Sequence, residues 1–289
     1  SYYLAKALRP TSTDASMAPA PESLLDRRLL LQEHSSAVEN LRRAAPHASK
    51  HERLGFLRAC MLERPLDPRP SQIDAAASRL RATTAWREEM GIDVVMTDPE
   101  WLDAERSHRS LLLYDFLGQD RHGRPILVER VGSWDVPKVA ETAEADPHRF
   151  SLLHCMAIET LFRIERPDHC IDPRGQVIIM DCKGIGTQHL DSRLVSMLQA
   201  ISKIDSDHFP DTLAELWVVN APLLFSSIAS LCRPLLSSET LQKFHVSSAV
   251  PPELVDLTGS EVLPVHLGGE RQHCFPYDQS APPSTEPKN

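Results

Sequence analysis

The stretch QVIIMDCKGIG at residues 176–186 decides the interpretation of the fold, because an apolar run leads directly into an acid, a thiol, an amine and a glycine turn. Asp181, Cys182 and Lys183 are consecutive, and consecutive side chains of a strand point to opposite faces of a sheet. They are therefore unsuited to form one catalytic group. A catalytic role for these residues remains the less favoured alternative. The pattern predicts a buried strand that ends at Asp181 and turns at a glycine, whose backbone tolerates turn conformations.

The region around this strand alternates between strand and helix patterns. Apolar runs predict further strands. Apolar residues at helical spacing follow residue 146, run from Leu190 to Ile201, and begin again at Pro222. The other predicted strands cover residues 111–117, 125–131 and 214–220. Strands that alternate with helices favour an α/β fold with a mainly parallel sheet and helices packed on it.

The first third of the chain has a different pattern, with apolar residues at near-helical spacing among charges. A proline-rich break lies at residues 64–70, and Gly91 is typical of the end of a helix. We therefore predict four regions: a flexible tail at residues 1–21, a small helical domain at 22–92, the α/β domain at 93–270, and a second tail at 271–289. Both tails are rich in proline, serine and other small or polar residues.

Composition and charge exclude some classes of protein. The 289 residues carry a net charge of −9 and a pI near 5.8, whereas a nucleic-acid binder needs a basic face. Six cysteines without a Cys-x-x-Cys pair indicate a reducing compartment. Residues 1–21 lack the layout of a signal peptide, and no apolar run is long enough for a membrane span. These features predict a soluble, cytoplasmic protein, although local patches can still contact a membrane.

Enzyme and metal-site motifs find little support. Gly184-Ile-Gly186 lacks the third glycine of a dinucleotide fingerprint, and neither a phosphate loop nor a Gly-x-Ser-x-Gly elbow occurs. Three His-Cys neighbours, at residues 154–155, 169–170 and 273–274, do not have the spacing of metal ligands. We expect no enzyme activity and no bound metal. A hydrolase or dehydrogenase therefore ranks third, behind two non-enzymatic functions.

The segment PLLFSSIASL at residues 222–231 is apolar around its whole circumference when placed on a helix. Such a helix is either deeply buried or faces an apolar environment on its second side. The two interpretations are a central core helix and a lid over an apolar cavity. Pro234 should end this helix, and a second short helix is expected near residues 238–242.

Several motifs occur together in the order of a known family. They are FLRA (56–59), AWREEMGI (85–92), DRHGRPILVER (120–130), IIMDCKG (178–184), FP (209–210), VVNAP (218–222), RP (233–234) and LPVHLGG (263–269). Between residues 54 and 269 the chain resembles the CRAL-TRIO family of lipid-binding proteins, which includes the Sec-fourteen-like phosphatidylinositol transfer proteins. The resemblance implies a helical domain followed by a domain whose sheet floors a lipid pocket, with a mobile helix as gate. The 178–184 motif is then a strand-ending turn.

The resemblance also implies residues for a lipid headgroup. The acid after the Phe-Pro motif is Asp211, and a threonine and lysine after the gate are Thr240 and Lys243. An Arg-Lys pair that inositol-lipid relatives carry after FLRA is replaced here by Cys60 and Met61. Three of the expected polar groups are therefore retained, and two charges are lost.

The predicted pocket floor is more apolar than in relatives that take phosphatidylcholine. Where those relatives have two tyrosines and a Ser/Thr pair, this chain has Phe116, Leu127, Gln176 and Ile178. Met180 also faces the predicted floor. The predicted gate and membrane-contact residues are Leu223, Leu224, Phe225, Ile228 and Leu231.

The resemblance ranks non-enzymatic binding and transfer of a lipid first, with phosphatidylinositol as the leading ligand. A sterol or tocopherol-like molecule is the alternative ligand. A lipid-sensing module that binds a signalling protein is an alternative function of another class. We expect no cofactor besides the bound lipid, transient membrane contact, no nucleic acid, and a monomer.

Overall fold

The computed structural model describes residues 27–61, 68–165, 175–232 and 238–272. Helices form the N-terminal part, and a five-stranded sheet with helices on it follows. This architecture confirms the predicted fold class of an α/β protein with an N-terminal helical part.

Within the described residues, six helices precede the sheet. They are α1 (Arg27–Glu33), α2 (Ser35–Leu41), α3 (Lys50–Ala59), α4 (Pro70–Met90), α5 (Ile92–Val95) and α6 (Pro99–Leu112). Helix α3 begins with a capping box, in which Ser49 and Glu52 each accept a hydrogen bond from the other's backbone N–H. Helix α4 ends at Gly91, whose positive φ of 66° suits a residue without a side chain. Leu41, Leu54 and Leu57 are fully buried between these helices.

The sheet has the strand order β1-β2-β3-β4-β5. Strands β1 and β2 are antiparallel, and the remaining neighbours are parallel. The sheet is therefore mainly parallel, as predicted. The strands are β1 (Tyr114–Gln119), β2 (Pro125–Glu129), β3 (Gln176–Asp181), β4 (Leu213–Val219) and β5 (Phe244–Val246).

Helices cover the two faces of the sheet differently. One face packs against α7, α8 and α9 over its first strands and against α10 over β4. The other face is covered by Leu254 of α12 and by Leu263 and Leu267, all fully buried. These later helices are α7 (Val136–Ala145), α8 (Pro147–Glu165), α9 (Ser192–His208), α10 (Phe225–Cys232), α11 (Ser238–Gln242) and α12 (Pro252–Thr258).

The structure corrects several predicted boundaries. The strand predicted at residues 111–117 begins at Tyr114, because Leu111 and Leu112 complete α6. That helix was not predicted, since it buries only Glu105, His108 and Leu112 and so lacks a clear apolar stripe. Helices α7 and α12 and the short strand β5 were also not predicted. The helix expected from Pro222 begins at Phe225. It follows a turn in which the N–H of Phe225 donates a hydrogen bond to the carbonyl oxygen of Pro222.

A buried ion cluster connects the β1–β2 hairpin with β4. The Arg124 side chain is fully buried. Its Nε is 2.6 Å from Asp120 Oδ2, and its Nη2 is 2.9 Å from Glu215 Oε1. The other oxygen of Asp120 accepts hydrogen bonds from the backbone N–H groups of His122 and Arg124. The Asp-x-x-Gly-Arg-Pro motif therefore closes the hairpin and supplies the cation that pairs with β4.

The first prediction concerns this cation. Replacing Arg124 with Met removes the positive charge between two buried carboxylates, and breaking a buried ion pair costs about 3–5 kcal/mol. We expect the free energy of unfolding, measured by urea denaturation, to fall by about that amount. The matched control is Arg121→Met, because Arg121 is exposed in the same loop, and its variant should change stability by less than about 0.5 kcal/mol. Equal stability of the two variants would contradict the structural role of Arg124.

Candidate functional site

The turn after β3 is a structural element. Asp181 Oδ1 accepts a hydrogen bond from the N–H of Lys183 at 3.0 Å and another from Asn220 Nδ2 at 2.8 Å. Gly184 has a φ of 102°, and a Cβ at this position would lie 2.6 Å from the carbonyl oxygen of Gly132. Two backbone segments meet too closely here for a side chain, so the glycine is required by packing.

The thiol next to Asp181 is unsuited to nucleophilic chemistry. Cys182 is completely buried, and burial together with the neighbouring carboxylates of Asp181 and Glu129 raises the pKa of its thiol to about 12. At neutral pH the group stays protonated, and only the thiolate is a nucleophile. The geometry agrees with the prediction that residues 181–184 end a strand.

The His-Cys neighbours were predicted not to bind metal. His154 Nε2 lies 2.7 Å from Asp205 Oδ1, whereas Cys155 is buried and its pKa is raised to about 12 by burial and nearby carboxylates. Within residues 27–61, 68–165, 175–232 and 238–272, no group of three His, Cys, Asp or Glu side chains is arranged to hold a metal ion. The pairs at 169–170 and 273–274 lie outside the described residues.

One row of apolar side chains crosses all five strands on the same face. The register pairs Phe116 with Leu127, Leu127 with Ile178, Ile178 with Leu216, and Leu216 with Phe244. Three of the predicted pocket residues, Phe116, Leu127 and Ile178, therefore lie side by side. Met180 belongs to the next row on the same face, and Gln176 is buried at the start of β3.

The central strand is accessible on this face alone. Val177 and Ile179, which face the other side, have no exposed surface, whereas Ile178 and Met180 are partly exposed. A middle strand of a five-stranded sheet is normally covered on both faces when its neighbours are parallel. Ile178 contacts both the cluster under α7–α9 and the cluster under α10. The partly exposed floor therefore lies between these two groups of helices.

A separate cleft of about 270 Å3 lies between α7, α8 and α9. Phe150 and Met197 line it, and both belong to the same apolar cluster as Leu127. Its rim includes Glu144 and Arg193, whose charged groups are 3.7 Å apart. None of the five predicted pocket residues lines this cleft, so it is distinct from the floor.

Two of the three predicted headgroup residues are in direct contact. Lys243 Nζ is 3.5 Å from Asp211 Oδ1 and donates a hydrogen bond to the carbonyl oxygen of Leu213 at 2.8 Å. Thr240 is close to Lys243, because its carbonyl oxygen accepts the N–H of Lys243. The structure thus brings Asp211, Thr240 and Lys243 together at the start of β4 and β5. Their role in binding a headgroup stays a prediction.

Arg58 is a member of this charged cluster that the sequence did not reveal. Its Nε is 2.7 Å from Asp211 Oδ2, and both side chains are less than a tenth exposed. Helix α3 approaches closely enough that a Cβ on Gly55 would lie 3.0 Å from the carbonyl oxygen of Pro210. The only signal for this contact was the FLRA motif, which contains Arg58 but does not indicate its partner.

The predicted gate residues differ in their environment. Leu223 is 82% exposed in the turn before α10, and Leu224 is partly exposed. Phe225 is buried and packs with Leu216 and Val218 of β4. The inward face of α10 at Phe225 is therefore part of the core, and Leu223 is the most exposed of the gate residues whose side chains the structure describes. The side chains of Ile228 and Leu231 lie outside the described residues.

No helix within the described ranges is long and apolar enough to cross a bilayer.

Comparison with curated proteins finds relatives in plants and fungi. The chain is 26% identical over 230 residues to the phosphatidylinositol/phosphatidylcholine transfer protein SFH7 of Arabidopsis thaliana, covering 77% of this chain and 40% of that protein. It is 25% identical over 245 residues to the SEC14 cytosolic factor of Eremothecium gossypii, covering 83% of this chain and 78% of that protein. The chain therefore spans less than half of the length of the Arabidopsis relative.

Two further comparisons concern the fold and the family. The crystal structure of Sfh5 aligns with a TM-score of 0.49 and 12% identity, covering 80% of this chain and 82% of that chain. The sequence profile of the CRAL/TRIO domain matches residues 112–269, which is more than half of the chain. That match begins at the end of α6 and ends after the last buried leucine below the sheet. The chain belongs to the CRAL/TRIO domain family.

Proposed function

We propose that this protein binds a lipid above the sheet and transfers it between membranes or presents it there, without catalysing a reaction. The observation that carries the proposal is the partly exposed floor at Ile178 and Met180, in a central strand whose opposite face is fully buried. Relatives named as phosphatidylinositol/phosphatidylcholine transfer proteins or as SEC14 cytosolic factor support it. The proposal includes a monomer that contacts membranes transiently.

Phosphatidylinositol is the favoured ligand, because a cation lies at the edge of the floor. Lys243 follows α11 and precedes β5, whose Phe244 ends the apolar row. A charge-assisted hydrogen bond from Lys243 to a phosphate would be stronger than a bond between neutral groups. Asp211 contacts both Arg58 and Lys243, and these side chains are mostly buried. Lys243 therefore has little conformational freedom to lose when a ligand binds.

Lipid tails would supply most of the affinity. Transfer of apolar surface out of water contributes about 25 cal/mol per Å2. The row Phe116, Leu127 and Ile178 offers such a surface without a hydroxyl group. This observation also favours the second candidate, a carrier of a sterol or tocopherol-like molecule. A regulatory module that senses lipid and binds a signalling protein stays a third candidate.

Mass spectrometry of lipid copurified with the protein tests the proposal. A carrier should retain one lipid per chain through purification, and phosphatidylinositol should dominate when donor vesicles offer a mixture. Protein that remains empty after incubation with phosphatidylinositol, phosphatidylcholine and sterol vesicles would contradict lipid binding. Stable loading without exchange between vesicles would instead favour the sensing module.

The second prediction concerns Lys243. Lys243→Ala should lower phosphatidylinositol loading about tenfold or more, because a hydrogen bond to a charged group contributes about 1.5–3 kcal/mol. Asp211 keeps its contact with Arg58, so we expect the variant to fold. Loading is measured by mass spectrometry after equilibration with vesicles. The control is Lys203→Ala, whose lysine is 77% exposed on α9, and equal loading of both variants would indicate a purely structural Lys243.

The third prediction is weak or absent transfer of phosphatidylcholine. A phosphodiester beside Ile178 would leave oxygens unpaired at about 1–3 kcal/mol each, and Phe116 and Leu127 add no hydroxyl. Ile178→Thr alone should not restore transfer, because the neighbouring positions still lack partners. Vesicle assays with labelled choline lipid measure this, with phosphatidylinositol transfer followed in parallel. Efficient choline-lipid transfer by the unmodified protein would refute the assignment of the floor residues.

The fourth prediction concerns membrane contact. Leu223→Asp should lower binding to vesicles about tenfold or more, because burying a leucine contributes about 1.5–3 kcal/mol and aspartate adds a desolvation cost. Sedimentation with vesicles measures it. Val94→Asp is the matched control, since Val94 is 69% exposed in the N-terminal helices and should be neutral. Equal binding of the two variants would exclude Leu223 from the contact.

Phe225→Asp is unsuitable as a test of membrane contact, because Phe225 is buried and its variant should unfold.

A further inference from the structure

Large apolar side chains are exposed in two parts of the protein. Those exposed among the described residues are Leu29, Val94, Leu102, Leu190, Leu223 and Val265. The first three belong to three different helices of the N-terminal part, α1, α5 and α6. The other three belong to the α/β domain, where each lies in a segment that follows a strand of the sheet.

Contacts of Asp181 place Leu223 and Val265 at one edge of the sheet. Asp181 is the last residue of β3, and its Oδ1 accepts a hydrogen bond from Asn220, which follows β4 and precedes Leu223 by three residues. Its Oδ2 lies 3.8 Å from Nε2 of His266, the neighbour of Val265. Strands β2 to β5 are parallel, so their carboxyl ends meet at this edge.

Leu190 lies near the same edge. It follows His189, whose Nε2 is 3.0 Å from the carbonyl oxygen of Val131. Val131 comes two residues after the end of β2, and the segment that carries Leu190 follows β3. Three exposed apolar side chains therefore surround the carboxyl ends of the parallel strands.

This edge also carries positive charge. Lys183 is exposed in the turn after β3, and Arg130 directly follows β2. The pKa of His266 is lowered by burial and then by the charges of Arg130 and Lys183, whereas Asp181 opposes the shift, so both cations lie near this histidine. Asp181 is only 4% exposed. Two cations against one buried acid leave the cluster positive when His266 is neutral.

The combination of charge and apolar surface restricts the partner. The whole chain has a net charge of −9 and would be repelled by an anionic surface, so a local positive cluster is needed for contact with one. Apolar side chains that enter the boundary of the lipid headgroups, together with cations that meet phosphates, are typical of docking on an anionic membrane. An acidic peptide would use the cations without covering the apolar side chains, and a second copy would bring like charges together.

We propose that this carboxyl-edge surface, with Leu190, Leu223 and Val265 as apolar contacts and Arg130 and Lys183 as cations, docks on membranes that contain anionic lipid. The inference rests on the proposed function and adds the docking face and the charge of the lipid surface. The predicted headgroup cluster lies at the other end of the parallel strands, beside the start of β4 and β5. Docking can therefore be changed without altering the residues proposed to hold the ligand.

The experiment measures cosedimentation with vesicles of phosphatidylcholine alone and of phosphatidylcholine mixed with phosphatidylserine. The unmodified protein should bind the mixed vesicles about tenfold more tightly or better, and added salt should remove most of this preference. Lys183→Ala should lower binding to mixed vesicles about fivefold, as expected for one cation near an anionic surface, and should leave binding to neutral vesicles unchanged. Val265→Ser should lower binding to both kinds of vesicle, because it removes an apolar contact that does not depend on charge.

Each variant has a matched control. Lys203→Ala removes the same charge from α9, where the side chain is 77% exposed, and Val94→Ser removes an exposed valine from α5. Both controls should bind vesicles as the unmodified protein does. Equal losses in Lys183→Ala and Lys203→Ala would show an effect of net charge alone and would overturn the assignment. A dimer in analytical ultracentrifugation that Val265→Ser dissociates, without vesicle binding, would overturn it in favour of a second copy.

Equilibrium loading with phosphatidylinositol, measured on the same samples, separates two failures. Asp211 and Lys243 are unchanged in these variants, so loading should be normal in all of them. Normal loading without a preference for the mixed vesicles overturns only this inference. Protein that loads no lipid at all overturns the proposed function.

Discussion

A guanidinium buried below the sheet is the constraint on which the floor depends. Arg124 pairs with Asp120 in the β1–β2 hairpin and with Glu215 in β4, so it connects strands that are separated by β3. Each of these ions would be costly to bury alone, and together they restrict how the strands can be aligned. The opposite face shows the result, because a single alignment places Leu127, Ile178 and Leu216 in one row.

The N-terminal helices contribute to the candidate site as well as to the core. Arg58 of α3 contacts Asp211, and Arg87 of α4 lies 2.6 Å from Glu159 of α8. Trp86 stacks on His208 at a centroid distance of 3.8 Å, immediately before the loop that carries Asp211. These contacts position the loop, so the predicted headgroup cluster requires that the helical part is docked on the α/β domain.

A polar cluster at the edge of an apolar floor would give the proposed lipid carrier a means of selecting ligands. Apolar burial is roughly proportional to area and distinguishes lipids poorly, whereas an unpaired buried polar group is costly for a wrong ligand. In this arrangement, Lys243 would favour an anionic headgroup at the start of β4 and β5. The tails of such a lipid would lie on the apolar row.

The sequence by itself determined the features that depend on local pattern. The apolar run at residues 176–181 predicted β3 with its observed limits, the alternation of strands with helices predicted the mainly parallel sheet, and the ordered motifs predicted the family. Only the tertiary structure decided which side of each element is buried and which distant residues it contacts. It turned Phe225 toward β4 and joined Arg58 to Asp211 across 153 residues. Periodicity reports which side of an element is apolar, but it does not specify which distant element covers that side, because such contacts arise only when the whole chain packs.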